Sequence, residues 1–339
     1  MIPAKFDYVR PDSLDEAVRA LASGGDDAKV IAGGQSLMPM LRLRLAYPEK
    51  LVDLGRLDEL RGVRDAGDAV EIGALTTHYE LTRDPLIAAH CGLLAQAAAT
   101  IADPAVRHRA TLGGALAHAD PAGDLPAVIS ALDATLVAHG PSGSREIRPA
   151  DFFVDFLTTS LMPGEILTAV RVPKLDGWGY RYEKFSVTAQ AWAVVGVAAV
   201  ARRSNGHVEQ ARVALTNMGS VPVRALAVEA AASGAEASGA GLAAAAARAD
   251  EGTTPPSDLR AAADYRRHLA QVLTARALAA AAGASGPRGR ALMLSGWGLP
   301  RRRPRPGQRL ACRMREQAYT YNPGLAANQQ KVVSYGHRA

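Results

Sequence analysis

The chain has 339 residues, of which 48% are hydrophobic and 21% charged, a composition typical of a folded globular protein and not of a disordered or fibrous one. No stretch contains the roughly 20 consecutive apolar residues of a membrane-spanning helix. Two cysteines, Cys91 and Cys312, are too few for a four-cysteine zinc site or an iron–sulfur cluster within the chain. The N-terminus lacks the apolar segment of a signal peptide, so we expect a cytoplasmic protein.

The basic charge is concentrated in the last sixth of the chain. The formal net charge is +6, but residues 285–339 contain eleven lysines and arginines and a single acid, Glu316. Residues 1–284 hold 28 basic and 32 acidic residues and are mildly acidic. The charge of this larger part argues against a nucleic-acid-binding protein.

The pattern of residues 1–172 predicts a mixture of helices and strands. Ser13 and Glu16 have the spacing of a capping box for the first helix, and either Thr76 or Thr77 can cap a later one. Asp103 and Pro104 end an Ala-rich helix that we expect to be buried. Strands are predicted at residues 29–31, 51–54, 70–74, 135–139 and 166–172, and helices at 14–21, 86–101 and 125–132.

A turn-rich segment at residues 173–177 predicts a boundary between a first domain, 1–173, and a second, 177–284. The second domain is expected to contain an antiparallel sheet, because three strand-like segments follow one another with short turns between them. These segments are residues 180–185, 191–201 and 208–215, and helical stretches are predicted at 221–250 and 261–282.

Residues 285–339 form an Arg- and Pro-rich tail that is expected to be disordered, because it cannot build a hydrophobic core. Three interpretations stay open for it: a solvated tail, a basic arm that contacts a partner, and the product of an out-of-frame translation of GC-rich DNA. We assign no function to this tail.

Two turns with paired glycines are the most informative segments, AGGQS at residues 32–36 and TLGGA at residues 111–115. Glycine allows positive φ and close approach of the backbone to a ligand. Such a turn can present several N–H groups to anionic oxygens, and Ser36 adds a hydroxyl donor. Each turn alone is equally well explained as a simple chain reversal. Neither has the spacing of the G-x-G-x-x-G dinucleotide motif or of a P-loop.

Several longer segments resemble a known family. AGGQSLMPMLRLRLAYPEKLVDL, IGALTTHYEL and IADPAVRHRATLGGALAHADPAGDLPA, followed by YEKFSVTAQAWAVVGVAA and ADYRRHLAQVLTARALAAA, are similar to the FAD-binding medium subunits of the molybdenum hydroxylases, the carbon monoxide dehydrogenase and xanthine dehydrogenase family. The resemblance covers about residues 1–284. It implies an α+β fold, in which a vanillyl-alcohol-oxidase (PCMH)-type FAD-binding domain of two α/β subdomains precedes an α+β C-terminal domain with an antiparallel sheet and helices.

The resemblance also implies FAD-binding residues, but no catalytic or metal-binding ones. The first turn would hold the pyrophosphate with backbone N–H groups, through Lys29, Ala32, Gly33, Gly34, Gln35, Ser36 and Leu37. The second turn would lie along the flavin phosphate and ribityl chain, through Thr111, Gly113, Gly114 and Ala115. Asp124 would bond the sugar hydroxyls, Ala102 and Leu161 would line the adenine side, and Lys184 and Trp192 would lie near the isoalloxazine.

Three of these residues have simpler explanations. Lys184 can be a solvated lysine on a strand, although a cation there could stabilise negative charge on reduced flavin. Trp192 can be a packing residue, and Asp124 can be only a helix cap. At position 115 the family often has a polar residue, so Ala115 loses one side-chain contact and the backbone is expected to replace it.

By resemblance, the protein is a redox subunit that receives electrons from a small 2Fe–2S subunit and passes them through noncovalent FAD to an external acceptor. The molybdenum cofactor would lie on a large subunit, and the complex would be a dimer of heterotrimers. The acceptor could hold it at the inner face of the membrane. The alternative is a stand-alone FAD-dependent oxidoreductase of the same fold that acts directly on a small substrate.

Overall fold

The computed structural model describes residues 2–283, and the predicted tail lies outside them. The strands are β1 (Asp7–Val9), β2 (Ala28–Ile31), β3 (Lys50–Asp53), β4 (Val63–Asp65), β5 (Ala69–Gly73), β6 (Thr135–Gly140), β7 (Gly143–Ile147), β8 (Phe153–Asp155), β9 (Thr158–Thr159), β10 (Ile166–Pro173), β11 (Gly179–Phe185), β12 (Val195–Ser204), β13 (His207–Thr216) and β14 (Val223–Arg224). The helices are α1 (Leu14–Gly24), α2 (Leu37–Arg42), α3 (His78–Leu81), α4 (Pro85–His90), α5 (Gly92–Ala99), α6 (Pro104–Arg107), α7 (Leu112–His118), α8 (Asp124–Leu132), α9 (Pro149–Phe152), α10 (Leu226–Ala232), α11 (Gly239–Ala246) and α12 (Ala263–Gly283).

The first sheet is small and parallel, with the order β1-β3-β2. Helix α1 packs on it through Val18 and Leu21, which are buried with Val52 of β3. The Ser13 hydroxyl accepts from the Glu16 amide as predicted, but the Glu16 carboxylate accepts from the amide of Asp12. The first helix therefore has the predicted N-cap without the reciprocal bond to Ser13.

The second sheet has five strands in the order β4-β5-β10-β6-β7, and all its neighbours are antiparallel. Helices α4, α7, α8 and α9 contact this sheet, and α5 packs against α8. The predicted single helix at 86–101 is wrong, because the chain breaks at Cys91 into α4 and α5. The break lets Gly92 lie against Tyr180 of β11, whose hydroxyl would be 2.2 Å from a Cβ at position 92.

The third sheet, β11-β12-β13-β14, is antiparallel, which confirms the predicted antiparallel sheet. Helix α12 packs against β11 and β12. The stretch at 221–250 is not one helix, because β14 adds to the sheet edge before α10 and α11 begin. Pro222 precedes this strand, and a residue before proline disfavours helical backbone.

Helix α8 joins the two parts of the chain. All nine of its residues are buried, and it contacts α5 on one side and β12 and β13 of the third sheet on the other. One apolar core accordingly includes Leu132 of α8, Val170 of β10 and Ala198 of β12. Among residues 2–283, no helix is both long and apolar enough to cross a membrane.

Candidate functional site

The first glycine turn connects β2 to α2 and carries a run of unused backbone donors. None of the amides of Gly33, Gly34, Gln35 and Ser36 donates a hydrogen bond to another residue within the range 2–283. Gly34 has φ +71°, in the left-handed region that glycine adopts without strain. A turn with several free N–H groups is a concave donor site that suits anionic oxygens.

The second glycine turn lies beside the first. A Cβ on Gly33 would fall 2.0 Å from the Arg109 carbonyl oxygen, so the two backbones are in contact there. A Cβ on Gly114 would lie 4.0 Å from the Cβ of Ala32. The structure thus brings the two predicted glycine segments together, and Gly33 is required for their close approach. The prediction of a turn at the second segment is wrong, because Gly113 and Gly114 lie in the first turn of helix α7.

Four of the five backbone donors of the second segment are already in use, those of residues 112–115. Thr111 caps α7, and its hydroxyl accepts from the Gly114 amide at 3.2 Å. The Leu112 amide donates to Thr76, and the Gly113 amide donates to Ala74, at 2.9 and 2.8 Å. The Ala115 amide also pairs within the helix, with the Thr111 carbonyl at 3.0 Å. The expectation that free backbone N–H groups would replace a polar side chain at position 115 therefore does not fit this geometry.

Two clefts of about 540 and about 380 Å³ flank the first turn. Both are lined by Gly33, Gly34, Met38 and Arg109. The smaller cleft also contains Ala32 and Thr111, together with two more arginines, Arg10 and Arg61. Asp53 also lines this cleft and pairs with Arg10, so three cations and one carboxylate lie beside the free amides.

Sequence reasoning did not select the three arginines. Arg61 donates to the carbonyls of Leu75 and Gly55. The Arg10 Nε lies 3.6 Å from the Asp53 carboxylate. Arg109 is exposed and lies two residues before the second segment. The only sequence signal was the run of basic residues at 107–109, next to the glycine motif.

Asp124 lies in a buried polar cluster that joins the two parts of the chain. Its two carboxylate oxygens accept from the Tyr182 hydroxyl at 2.5 Å and from the Lys184 ammonium at 2.8 Å. The interpretation of Asp124 as a helix cap is wrong, because Gly123 is the N-cap of α8 and has no side chain. The interpretation of Lys184 as a solvated lysine is also wrong, because only 7% of its side chain is exposed.

Burial controls the protonation of this cluster. It raises the pKa of the Asp124 carboxyl, and the charge and hydrogen bond of Lys184 offset part of that effect. Burial and the neighbouring Asp124 carboxylate raise the pKa of Tyr182 well above its usual value. The Tyr182 hydroxyl therefore keeps its proton and remains a donor to Asp124.

Two cations hold a strained turn next to this cluster. Lys184 donates to the Thr100 carbonyl at 3.4 Å, and Arg107 donates to the carbonyls of Ile101 and Ala102 at 2.8 and 3.0 Å. Ala102 has φ +43°, which is unfavourable for a residue with a Cβ. These contacts place the predicted residue Ala102 close to Lys184.

The remaining predicted FAD-binding residues do not share one location in the structure. Ala115 and Leu161 are half-buried and pack against the same large core as Ile101. Leu37 is the first residue of α2, and Lys29 is exposed on β2. Trp192 is 45% exposed in the segment before β12, so it is not a core residue.

Comparison with known proteins agrees with this architecture. Residues 4–175 match the model of the FAD binding domain in molybdopterin dehydrogenase, and residues 180–281 match that of the CO dehydrogenase flavoprotein C-terminal domain. The carbon monoxide dehydrogenase medium chain of Hydrogenophaga pseudoflava is 42% identical over 282 residues, 83% of this chain and 98% of the relative. The chain belongs to the FAD-binding medium subunits of the molybdenum hydroxylases.

Other medium subunits are similar over the same region. The glyceraldehyde dehydrogenase medium chain of Sulfolobus acidocaldarius is 37% identical over 82% of this chain and 98% of its own length. A structure of the Hydrogenophaga pseudoflava carbon monoxide dehydrogenase superposes with a TM-score of 0.82 at 43% identity, covering 84% of this chain and all of that one. Quinoline 2-oxidoreductase of Pseudomonas putida 86 gives a TM-score of 0.80 at 34% identity, covering 84% and 99%.

The residues of this medium subunit fit the FAD that its family binds. FAD carries a pyrophosphate, and the first turn supplies four free amides and the Arg109 cation beside a cleft. Gly34, with its positive φ, and Gly33, which is in van der Waals contact with the backbone of Arg109, form the turn that presents these amides. The geometry therefore supports the first turn as the phosphate-binding element more directly than the second.

Proposed function

We propose that the protein is the electron-carrying subunit of a molybdenum hydroxylase complex. The observation that carries this proposal is the run of four free amides at Gly33–Ser36, adjoining the second turn and Arg109, in a chain of the medium-subunit family. Such a site binds a diphosphate and needs no acid, base or nucleophile. The redox chemistry belongs to FAD, which can take up electrons singly and release them in pairs.

The chain's own residues bind and orient the cofactor in this proposal. The first turn and Arg109 neutralise the pyrophosphate, and Thr111 and Gly114 offer a small surface along the flavin phosphate and ribityl chain. Leu161 lines the adenine side. Ala102 lies close to Lys184, so these two residues face the same end of the cofactor and Ala102 is not proposed at the adenine. Asp124 accepts from a sugar hydroxyl, since a carboxylate oxygen can accept more than one hydrogen bond.

Lys184 and Trp192 are proposed to lie near the isoalloxazine, which is held without a covalent bond. Lys184 would stabilise negative charge there, and its burial strengthens this effect because a low dielectric weakens screening. The boundary between the FAD-binding part and the C-terminal part is proposed at residues 173–177.

The partners are a small subunit with 2Fe–2S clusters, which delivers the electrons, and a large subunit with the molybdenum cofactor, which oxidises the substrate. We propose a cytoplasmic dimer of heterotrimers and an external electron acceptor. No nucleic-acid partner is proposed, because residues 1–284 are mildly acidic. The substrate of the complex belongs to the large subunit and stays open among carbon monoxide, an aldehyde and a purine.

The test is purification of the full chain with and without its co-purifying proteins, followed by flavin and metal analysis. We expect the chain alone to carry FAD, with its absorption band near roughly 450 nm, and molybdenum and iron to appear only with the partners. Reduction of the flavin by an organic substrate in the absence of partners would instead support the stand-alone oxidoreductase. A chain without FAD under all conditions would contradict both functions.

A further inference from the structure

Arg266 of α12 is a buried cation outside the site described above. Its side chain is 0% exposed, and its Nε has no hydrogen-bond partner among residues 2–283. Burial of a guanidinium is unfavourable unless its donors are paired. The contacts that compensate for this burial therefore indicate where the side chain acts.

Arg266 holds the backbone directly after Trp192. Its Nη1 donates to the Val194 carbonyl at 2.5 Å, and its Nη2 donates to the Asp258 carboxylate at 2.8 Å. The Asp258 carboxylate also accepts from the amides of Arg260 and Ala261. Asp258 thus fixes one end of the guanidinium, while the other end fixes Val194.

A second residue holds the same segment from the opposite direction. The Asn217 side-chain amide donates to the carbonyls of Ala193 and Val194 at 2.8 and 3.3 Å. Its backbone amide donates to Pro121, in the loop that precedes α8. The segment is therefore tied both to α12, through Arg266, and to the FAD-binding part, through Asn217.

Trp192 itself lacks comparable support. It is 45% exposed and lies outside the buried core clusters of the described chain. Its backbone continues directly into the two residues that follow it, and the Val194 amide also donates to the Phe185 carbonyl at 2.8 Å. Both of their carbonyls are fixed by the contacts of Arg266 and Asn217.

We propose that Arg266 is a positioning residue that holds Trp192 in place against the flavin, an inference that rests on the proposed function. Arg266 acts through the Val194 carbonyl and does not itself contact the cofactor. Removal of its charged hydrogen bond is expected to free the segment before β12 and to weaken the interaction of Trp192 with FAD.

The test compares Arg266→Met with two control variants in the full chain. Leu273→Ala removes a buried side chain of the same helix, and Arg267→Met removes an exposed cation that pairs with Asp264. Acrylamide quenching of Trp192 fluorescence, isolated by subtracting a Trp192→Phe version of each variant, is measured without FAD. The dissociation constant of FAD is measured separately.

We expect Arg266→Met to increase quenching of Trp192, because the Val194 carbonyl loses its charged donor. We also expect it to weaken FAD binding about tenfold, because a displaced Trp192 ring loses its contact with the cofactor. Arg266→Lys should restore part of both effects, and the two controls should show neither. The proposal is overturned if Arg266→Met leaves the quenching unchanged or binds FAD as Leu273→Ala does. If the wild-type chain takes up no FAD, the proposed function fails, whereas the quenching comparison still decides whether Arg266 holds Trp192.

Discussion

The Lys184 ammonium lies 2.8 Å from the Asp124 carboxylate, and this ion pair connects β11 of the C-terminal part to α8 of the FAD-binding part. Only 7% and 4% of the two side chains are exposed. Removal of one partner from such a pair leaves an uncompensated buried charge. We therefore expect Lys184→Met to lower the free energy of unfolding by about 3–5 kcal/mol, measured by urea denaturation of the full chain.

An exposed ion pair provides the control. Arg202 and Glu209 lie 2.8 Å apart, with 45% and 49% of their side chains exposed. Arg202→Met should change the free energy of unfolding by less than about 1 kcal/mol. The double variant Asp124→Leu/Lys184→Met should recover part of the stability, because no lone charge remains buried. Equal effects of Lys184→Met and Arg202→Met would show that the buried pair has no special role.

Gly34→Ala is expected to reduce FAD binding by about tenfold, because loss of a well-formed amide contact to a charged oxygen is worth about 1.5–3 kcal/mol. The reason is backbone strain: Gly34 has φ +71°, and a Cβ would also lie 3.2 Å from Met38. Gly67→Ala is the matched control, since Gly67 has φ +81° in the turn between β4 and β5. Isothermal titration of FAD into the apo chain distinguishes the two. Comparable affinities in the two variants would argue against the first turn as the phosphate site.

Arg109→Met should weaken FAD binding by about tenfold, through loss of a charge-assisted hydrogen bond to the pyrophosphate. Arg109 lines both clefts beside the first turn. Arg19→Met, which removes an exposed cation from α1, is the control for net charge. The effect of Arg109→Met should shrink at high salt, because screening weakens the same contact in the wild type. An unchanged FAD affinity would remove Arg109 from the site.

His78 gives the protein a pH-dependent stability. It is buried in α3, and burial, with a smaller contribution from the Arg107 cation, lowers its pKa to about 4. Between this value and the unfolded pKa of 6.5, the unfolded chain binds one proton more than the folded chain. His78 therefore removes about 3 kcal/mol of stability as the pH falls from 6.5 to 4.

We expect His78→Leu to abolish this part of the pH dependence. The free energy of unfolding of the variant and of the wild type should converge or cross as the pH falls from 7.5 to 4.5 in urea titrations. A constant difference between His78→Leu and the wild type would contradict the low pKa.

Sequence patterns predicted correctly the features whose conformation depends only on residues nearby in the sequence. The Thr77 cap is one case, and the structure shows it as a full capping box with Glu80. The break at Cys91 could not be predicted in the same way. Both sides of it are apolar and Ala-rich, and the break accompanies a close approach of Gly92 to Tyr180, which is distant in sequence.

The residues of the candidate site fall into the same two groups, those that the sequence indicated and those that only tertiary packing reveals. The paired glycines at 33–34 could be read as a turn in the printed chain, because a positive φ favours glycine locally. Those at 113–114 begin helix α7, and the small size of Gly113 reflects its contact with Ala74. The pairing of Asp124 with Lys184 and the role of Arg109 could not, since each depends on packing between separate elements.

The amino-acid order alone was sufficient to identify the two glycine segments and the family to which they belong. The folded chain was needed to show that the amides of Gly33–Ser36 are free, whereas those of Leu112 and Gly113 are already bound to Thr76 and Ala74. The physical reason is that a turn is set by the steric freedom of a few consecutive residues. Whether its donors remain available depends on which distant acceptors the fold brings against them.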